Sequence, residues 1–309
     1  MKFDITVGNP PYNNDLYLDF VTVGNSISTS YSLWITPAKW QAKGGNKNTQ
    51  FRKSIVPYIN KVVYYKDVKE VFDIGEPDGV SYYLIDKNNI HSTKLVRNNC
   101  SNKIFKSNWE EHTEKELILL PNKIIGIINK CNNITLYKRL IHKMLLDNSE
   151  YGGEKTHENN VAIVCGDNGA SGYISEAQAY NLGVHKYINY IHCLVSQGSG
   201  SPFDKENRAV GRGMKSVHIA GNMELPQGHY FALTEFNSEQ EAKSFTSFCN
   251  TKLIRFLYFI GISASMEIIE NWRFIPDPLE FNHLYTDKEL YDKYELTKDE
   301  INIIESIIK

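Results

Sequence analysis

The sequence of 309 residues contains no apolar run of about 18 residues or more, so it predicts no transmembrane helix. Its first residues, MKFDITVGNPPY, lack the long apolar stretch and the cleavage site of a secretory signal. The cysteines are few, widely separated, odd in number and without CxxC spacing (Cys100, Cys131, Cys165, Cys193 and Cys249). We therefore expect a cytoplasmic protein with reduced thiols and with no disulfide framework, metal site or membrane segment.

The chain also lacks a large net charge of either sign. Its 34 Lys and Arg residues nearly balance its 36 Asp and Glu residues, for a formal net charge of -2. This excludes a protein that coats nucleic acid through charge alone, but it allows a local basic patch. Residues 1–99 carry 12 basic and 9 acidic side chains, whereas residues 277–309 carry 4 and 9. We therefore expect phosphate contacts outside the acidic C-terminal end.

Hydrophobic patterning in the first hundred residues predicts an α/β fold. Helices are predicted at Leu16–Ser28 and residues 48–56, and strands at Phe3–Val7, Tyr31–Thr36, Lys61–Tyr65 and Gly79–Ile85. Because strands and helices alternate, we expect a mostly parallel sheet.

The rest of the chain is predicted to be an α+β region with long loops, followed by helices. Residues 133–147 have a helical pattern, and Val161–Cys165 is a predicted strand that leads into glycine-rich residues 166–172. The last predicted helix places Ile301, Ile304 and Ile308 on one face. Three capping-box pairs mark helix starts, where a hydroxyl and a carboxylate bond free backbone amides (Ser238 with Glu241, Thr286 with Glu289, and Thr297 with Glu300).

The residues most informative about chemistry are Asn9, Pro10, Pro11 and Tyr12, which follow the first predicted strand. Open α/β sheets bind ligands at the carboxyl ends of their strands. The two prolines make this turn rigid and rich in carbonyl acceptors. The Asn9 side-chain oxygen and the Pro10 carbonyl can each accept one N–H of an exocyclic amine, and Tyr12 offers a flat face to a base outside the duplex. A plain Pro-Pro turn that closes a strand is the alternative interpretation.

The segment FDITVGNPPY (residues 3–12) resembles the catalytic motif of the N6-adenine-specific DNA methyltransferases of restriction–modification systems, whose tetrapeptide is (D/N/S)-P-P-(Y/F/W). The stretches LWITPAKW (residues 33–40) and VFDIGEPDGVSYYLIDK (residues 71–87) are similar to later segments of this family. In the second stretch the family packs a ring against the flipped adenine, which implies base stacking by Tyr82 or Tyr83. The C-terminal end also resembles large restriction-type methylases, so the resemblance covers most of the chain.

The resemblance implies an α/β fold with a partial Rossmann-like methyltransferase sheet, an α+β target-recognition region and C-terminal helices. It implies that residues 1–95 are part of a catalytic domain, that residues 96–276 recognise double-stranded DNA, and that residues 277–309 form a helical tail. Candidate DNA contacts are the glycine-rich run Ser196–Ser201 and a cluster of cations that follows it (Lys205, Arg208, Arg212 and Lys215). For any one of these residues, a solvated glycine-rich loop is the alternative.

The family's methyl donor is S-adenosylmethionine, and the segment expected to bind it does not precede Asn9. In the family the donor lies on a glycine-rich turn after the first strand of a seven-stranded sheet, and an acidic residue after the second strand holds its ribose. Only eight residues precede Asn9, so we expect the chain to start at the fourth strand. We expect a partner polypeptide to supply the donor-binding half. The alternatives are a truncated remnant, a true start that lies further upstream, or a donor site at residues 161–172 as in circularly permuted relatives.

Other functions are compatible with some of the same residues. A module that recognises DNA without catalysis is one. An endonuclease is disfavoured, because residues 276–280 lack the lysine expected two positions after the acid and Pro77-Asp78 lacks its acidic and lysine partners. The same turn also serves methylation of RNA adenines and of glutamine side-chain amides, which present a similar planar amino group. The long recognition region favours DNA by analogy with the family.

Overall fold

The computed structural model describes residues 1–41, 46–65, 68, 71–73, 79–91, 93–98, 101–108, 122–131, 134–147, 153–165, 169–196, 218–261 and 269–308. The chain divides into two compact units, Met1–Gly126 and Ile127–Lys309. The division by function into residues 1–95, 96–276 and 277–309 is a separate matter and stays a prediction.

A six-stranded sheet with two helices forms most of the first unit. The elements are β1 (Phe3–Gly8), α1 (Leu16–Ile27), β2 (Ser28–Pro37), α2 (Asn46–Ile55), β3 (Ile59–Tyr65), β4 (Val80–Asp86), β5 (Thr93–Asn98) and β6 (Ser101–Asn108). The strand order is β1-β2-β4-β3-β5-β6. The α/β fold and the strands and helices predicted for this part of the sequence are confirmed.

The expectation of a mostly parallel sheet is wrong, because β4 runs against both of its neighbours. The β1–β2 and β3–β5 pairs are parallel, whereas the β2–β4, β3–β4 and β5–β6 pairs are antiparallel. Parallel neighbours need a long crossover, usually a helix, and α1 is the crossover between β1 and β2. The sequence pattern indicates where strands lie, but it does not indicate the direction in which β4 enters the sheet.

Helices α1 and α2 cover one face of the sheet and form its hydrophobic core. The buried residues come from both helices and from alternate strand positions (Tyr17, Leu18, Val21, Trp34, Trp40, Phe51, Ile55, Val56, Ile59, Val62, Tyr83, Ile85 and Val96). Polar contacts hold the short turn after β2 against this core. The buried Arg52 donates to the Trp40 carbonyl at 2.7 Å, and Trp40 Nε1 donates to Ser81 Oγ at 3.2 Å. The segment that follows β2 is therefore fixed relative to α2 and β4.

Lys87, which follows β4, caps the end of α1. Its ammonium group donates to the carbonyls of Asn25, Ser26 and Ser28 at 2.9, 3.3 and 2.6 Å. A cation at this position satisfies free carbonyls and interacts favourably with the helix dipole. We expect Lys87→Met to lower the free energy of unfolding by about 1–2 kcal/mol, measured by urea denaturation. The exposed Lys2 supplies the control, and an equal loss in Lys2→Met would contradict the capping role.

The second unit combines two small sheets with four helices of its C-terminal half. Its elements are β7 (Lys143–Met144), β8 (Val161–Val164), β9 (Ala170–Ile174), α4 (Glu176–Asn181), β10 (Ile191–Ser196), β11 (His218–Ala220), β12 (Glu224–Pro226), β13 (Tyr230–Phe236), α5 (Glu239–Asn250), α6 (Lys252–Gly261), α7 (Asp287–Lys293) and α8 (Lys298–Ile307), while α3 (Asn122–Cys131) spans the division between the units. The strand orders are β11-β10-β13-β7 and β12-β8-β9. The longest helices described, α1 and α5, have 12 residues each, too few to cross a bilayer.

The three predicted helix starts are confirmed, and the complete capping box is present at one of them, Thr297. The side chains of Ser238, Thr286 and Thr297 each accept a hydrogen bond from the backbone amide three residues later, at the starts of α5, α7 and α8. At Thr297 the reciprocal bond from the capping residue's amide to Glu300 Oε2 is also present at 2.7 Å. Of the predicted apolar stripe, Ile304 and Ile308 are buried and Ile301 is half-buried, and Ile308 is the residue directly after α8.

The predicted helix over residues 133–147 is wrong. This segment contains a 3₁₀ turn at Leu136–Lys138 and the short strand β7, and the neighbouring helix is α3. The apolar residues Leu136, Leu140, Leu145 and Leu146 are buried, but the backbone bonds to another strand, since the Ile141 amide donates to the Leu233 carbonyl at 2.8 Å. The leucines of this segment are spaced as in an amphipathic helix, but they are buried from a 3₁₀ turn and a short strand.

Candidate functional site

The turn Asn9–Tyr12 lies at the carboxyl end of β1, as the sequence predicts. Asn9 and Pro11 are exposed, Tyr12 is half-buried and Pro10 is buried. Buried Pro10 anchors the turn, while Asn9 and Tyr12 keep surface that a ligand can reach. The side chain of Asn9 and part of the Tyr12 ring are therefore accessible to solvent at this corner.

Trp34 on β2 is held between a glycine of β1 and a glycine of α1. A Cβ atom at Gly8 would overlap Cζ3 of the indole ring, and a Cβ atom at Gly24 would overlap its Cζ2. Because Gly8 directly precedes Asn9, this contact fixes the end of β1 from which the turn starts. Sequence reasoning missed these residues. The available signal was an isolated glycine inside the helical pattern of α1, which costs about 1 kcal/mol relative to alanine and so calls for a packing reason.

The backbone after the turn contains two consecutive residues in the left-handed region, Asn14 with φ 50° and Asp15 with φ 60°. Asn and Asp tolerate this conformation better than most residues with a side chain. Asp15 Oδ1 lies 2.8 Å from Lys39 Nζ, and both side chains are mostly buried. Lys39 belongs to the turn Ala38–Gln41 after β2, and its Nζ is 5.7 Å from the centroid of the Tyr17 ring. The ion pair joins the segments that follow β1 and β2.

Tyr83 lies inside the core, beside the turn Ala38–Gln41. It is 1% exposed, its ring centroid is 5.2 Å from that of Trp40, and its hydroxyl is 3.4 Å from Thr36 Oγ1. Burial raises the pKa of the Tyr83 phenol well above its usual value; the hydrogen bond to Thr36 opposes this, and the neighbouring Tyr12 adds to it. The Tyr83 ring is therefore enclosed in the hydrophobic core.

Tyr82 points to the opposite face of β4 and is half-buried. Its ring is stacked on Phe72 at 6.5 Å and meets Tyr65 edge-on at 5.9 Å. Burial, followed by the neighbouring Tyr65, raises the pKa of its phenol. Base stacking by Tyr82 or Tyr83 stays a prediction, and of the two rings Tyr82 retains the accessible surface.

The predicted DNA contacts Lys205, Arg208, Arg212 and Lys215 lie outside the described residues, as do residues 197–201 of the glycine-rich run before them. Their role stays a prediction.

The alternative donor site at residues 161–172 contains strand β8 and the first residues of β9, while residues 166–168 lie outside the described residues. Strand β8 pairs with β9 in an antiparallel ladder that places Val161 opposite Ile174. Glycine turns that hold a cofactor of this kind lead from a strand into a helix, whose amino end faces the ligand. A strand that leads into an antiparallel strand does not fit S-adenosylmethionine on this ground. Among the residues that the structure describes we therefore assign the donor to none, and we derive no step through it.

The chain was compared with known proteins. No family model matches it. It is 26% identical over 154 residues to a protein from Mycoplasma pneumoniae named "Uncharacterized adenine-specific methylase", and the alignment covers 45% of this chain and 35% of that protein. The chain thus spans about a third, 35%, of the length of this curated relative.

Two solved structures are distantly similar. One is the methyltransferase subunit of a type I restriction-modification system from Streptococcus thermophilus, with 13% identity, a TM-score of 0.25, and coverage of 41% of this chain and 31% of that chain. The other is the type IIG restriction endonuclease BpuSI, with 10% identity, a TM-score of 0.36, and coverage of 98% and 48%. Both scores are too low to assign the fold by similarity.

Proposed function

We propose that this chain is the adenine-holding and target-recognition part of a site-specific N6-adenine DNA methyltransferase of a restriction–modification system. Its methyl donor, S-adenosylmethionine, would be bound mainly by a partner polypeptide. The observation that carries the proposal is the exposed turn Asn9–Tyr12, anchored by buried Pro10 at the carboxyl end of β1. This is the end of an α/β sheet at which ligands bind.

The turn suits a planar amino group because it combines two acceptors on a rigid backbone. The Asn9 side-chain oxygen and the Pro10 carbonyl each accept one N–H of the adenine amine, which raises the electron density on the nitrogen. Tyr12 provides a face for the base once it has left the duplex. The donor, when bound, supplies an electrophilic methyl group. We assign no general base, since the nitrogen can release its proton after transfer.

The strand order of the first unit supports an incomplete doubly wound domain. Strands β1, β2 and β3 run in the same direction, because β4 is antiparallel to both β2 and β3 and β1 is parallel to β2. Such a set corresponds to one half of the doubly wound order 3-2-1-4-5-6, with β4 inserted. On this interpretation the donor-binding half lies beside β1, where the strand order reverses.

Two further observations support adenine as the target base and DNA as the substrate. The name of the Mycoplasma relative supports adenine as the target. The cations Lys205, Arg208, Arg212 and Lys215 fall within eleven positions beside glycines, a composition suited to following a phosphate backbone. Double-stranded DNA is therefore the proposed substrate.

Transfer of a labelled methyl group tests the function. The chain, with the polypeptide encoded directly upstream of it, is incubated with duplex DNA and methyl-labelled S-adenosylmethionine, and the DNA is digested to nucleosides. We expect the label in N6-methyladenine. Parallel incubations replace the DNA with RNA or with a protein extract, and label that appears only in an RNA adenine or in a glutamine amide would reassign the substrate. DNA binding without label would favour the second candidate, a non-catalytic recognition module or a truncated remnant. The antiparallel pairing of β8 with β9, which does not suit a donor site, supports this candidate.

Substitution of Tyr12 tests base stacking. Stacking of a base on an aromatic ring contributes about 1–3 kcal/mol. We therefore expect Tyr12→Ala to weaken binding of DNA that carries 2-aminopurine at the methylated position by about 5- to 150-fold. Tyr12→Phe keeps the ring and should bind like the unaltered chain. The readout is the fluorescence of 2-aminopurine, and unchanged affinity in Tyr12→Ala would exclude the stacking role.

A further inference from the structure

The backbone directly after the turn Asn9–Tyr12 is strained. Asn14 and Asp15 have φ angles of 50° and 60°, so two consecutive residues that carry side chains lie in the left-handed region. Residues of this kind persist only where the surrounding structure holds them in place, and they are found most often at functional sites. The contacts of Asp15 therefore indicate what the strain serves.

Asp15 occupies the N-cap position of α1 but does not cap this helix. Aspartate at an N-cap usually accepts a hydrogen bond from an amide of the first helical turn. The Asp15 side chain accepts none from α1, and its Oδ1 lies instead 2.8 Å from Lys39 Nζ. Both side chains are 18% exposed, so the pair is only partly screened by water. The backbone and the side chain of Asp15 thus both depart from their local preferences where the ion pair with Lys39 forms.

Lys39 is carried by a rigid part of the first unit. On one side of it, the Ala38 amide donates to the Gly79 carbonyl at 3.1 Å. On the other side, Trp40 is completely buried, and its carbonyl accepts from Arg52 at 2.7 Å. The ammonium group of Lys39 is therefore a fixed point to which the carboxylate of Asp15 is tied.

The turn Asn9–Tyr12 is consequently held at both of its ends. Strands β1 and β2 are parallel, and Gly8 pairs with Trp34, so the segments that follow the two strands leave the sheet at the same edge. Before the turn, the close contact between Gly8 and Trp34 fixes the end of β1. After the turn, the ion pair between Asp15 and Lys39 fixes the start of α1. The exposed part of the turn lies in the chain between these two fixed points.

Resting on the proposed function, we propose that Asp15 and Lys39 are positioning residues for methyl transfer. Their ion pair ties the start of α1 to the segment after β2, and so sets the place of the Asn9 side chain and the Pro10 carbonyl. The left-handed backbone at Asn14 and Asp15 is the strain that this placement requires. Neither member of the pair is assigned a contact with the base. A displacement of the reacting groups by about 1 Å costs about 100-fold in rate, so a tether outside the site acts strongly on the chemistry.

A purely structural ion pair is the competing explanation, and two variants separate it from a positioning role. Lys39→Met leaves a mostly buried carboxylate without its cation, so both explanations predict a lower urea midpoint. The double variant Asp15→Asn/Lys39→Met leaves no such charge and should regain most of the native midpoint. A structural role predicts that the rate of methylation recovers together with the stability. A positioning role predicts that the rate stays low, because the tether is still absent.

Single-turnover methyl transfer with the partner polypeptide, together with a separate measurement of DNA affinity, tests the assignment. We expect Lys39→Met and the double variant to methylate about 10- to 100-fold more slowly, with nearly unchanged affinity for DNA. Lys39→Arg keeps the cation and should recover part of the rate. Lys47→Met is the matched control, because it removes the lysine of another ion pair of the first unit, 2.7 Å from Asp19, and should keep the native rate.

Hydrogen exchange adds a readout that needs no methyl transfer. The Leu16 amide, which donates to the Asn13 carbonyl, should exchange faster in Lys39→Met and in the double variant than in Lys47→Met. A native rate of methylation in either of the first two variants, or unchanged exchange in both, would overturn the positioning role and leave the proposed function intact. Faster exchange in these variants, in a protein whose unaltered form transfers no methyl group, keeps the tether and rejects the proposed function.

Discussion

Asn9→Ala is expected to lower the rate of adenine methylation by about 10²- to 10³-fold while leaving the affinity for DNA nearly unchanged. The estimate follows from the loss of one hydrogen-bonding group that acts on charge developing during the reaction. Asn9 is exposed at the end of β1, so its side chain contributes little to the core and the variant should fold normally. The measurement is a single-turnover assay of methyl transfer in the presence of the partner polypeptide.

Two further variants, Asn13→Ala and Asn9→Asp, separate an effect on the chemistry from an effect on the structure of the turn. Asn13→Ala removes a neighbouring exposed amide outside the tetrapeptide and should keep full activity. Asn9→Asp keeps a side-chain acceptor and should recover part of the rate that Asn9→Ala loses. Methylation by Asn9→Ala at the rate of the unaltered chain would remove the catalytic assignment, whatever the affinity for DNA.

Gly24→Ala is expected to lower the free energy of unfolding by about 1–3 kcal/mol, because overpacking of a core has this cost. Helix propensity alone predicts the opposite result, since alanine is favoured over glycine by about 1 kcal/mol inside a helix. The contact with Trp34 decides the sign, because a Cβ atom at Gly24 would overlap the indole ring. Urea denaturation, followed by tryptophan fluorescence, measures the change.

A double-mutant cycle identifies the cause. Trp34→Phe shortens the ring that lies against Gly24, so Gly24→Ala should cost less in that background than in the native one. Gly153→Ala is the control, because the nearest atom to its added Cβ is Asn159 Nδ2 at 3.9 Å and the change should be close to neutral. Equal costs of Gly24→Ala in both backgrounds would show that Trp34 is not the obstacle.

The same reasoning connects stability to the candidate site at Gly8. A Cβ atom there also meets Trp34, and the next residue is Asn9. Trp34 therefore fixes the positions of two elements: β1, through Gly8, and α1, through Gly24. Because the turn starts directly after Gly8, its position is fixed as well. The site is built on packed elements and not on a free loop.

Local sequence was sufficient for much of the first unit and for the helix starts. β1 and the turn after it were predictable because β-branched residues favour a strand and consecutive prolines end it. The caps at Ser238, Thr286 and Thr297 were predictable because each is formed by residues three positions apart. By contrast, Leu136 and Leu145 matched a helical spacing, and their segment pairs with β13 instead.

The sequence by itself determined the rigid Asn9–Tyr12 turn and its place at the end of a strand, because neighbouring residues decide both. Only the tertiary structure decided that β4 enters the sheet in the antiparallel direction, that Tyr83 is buried, and that β1 is the terminal strand of the sheet among the described residues. Strand direction and burial depend on contacts between residues far apart in the chain, and local propensity carries no information about them.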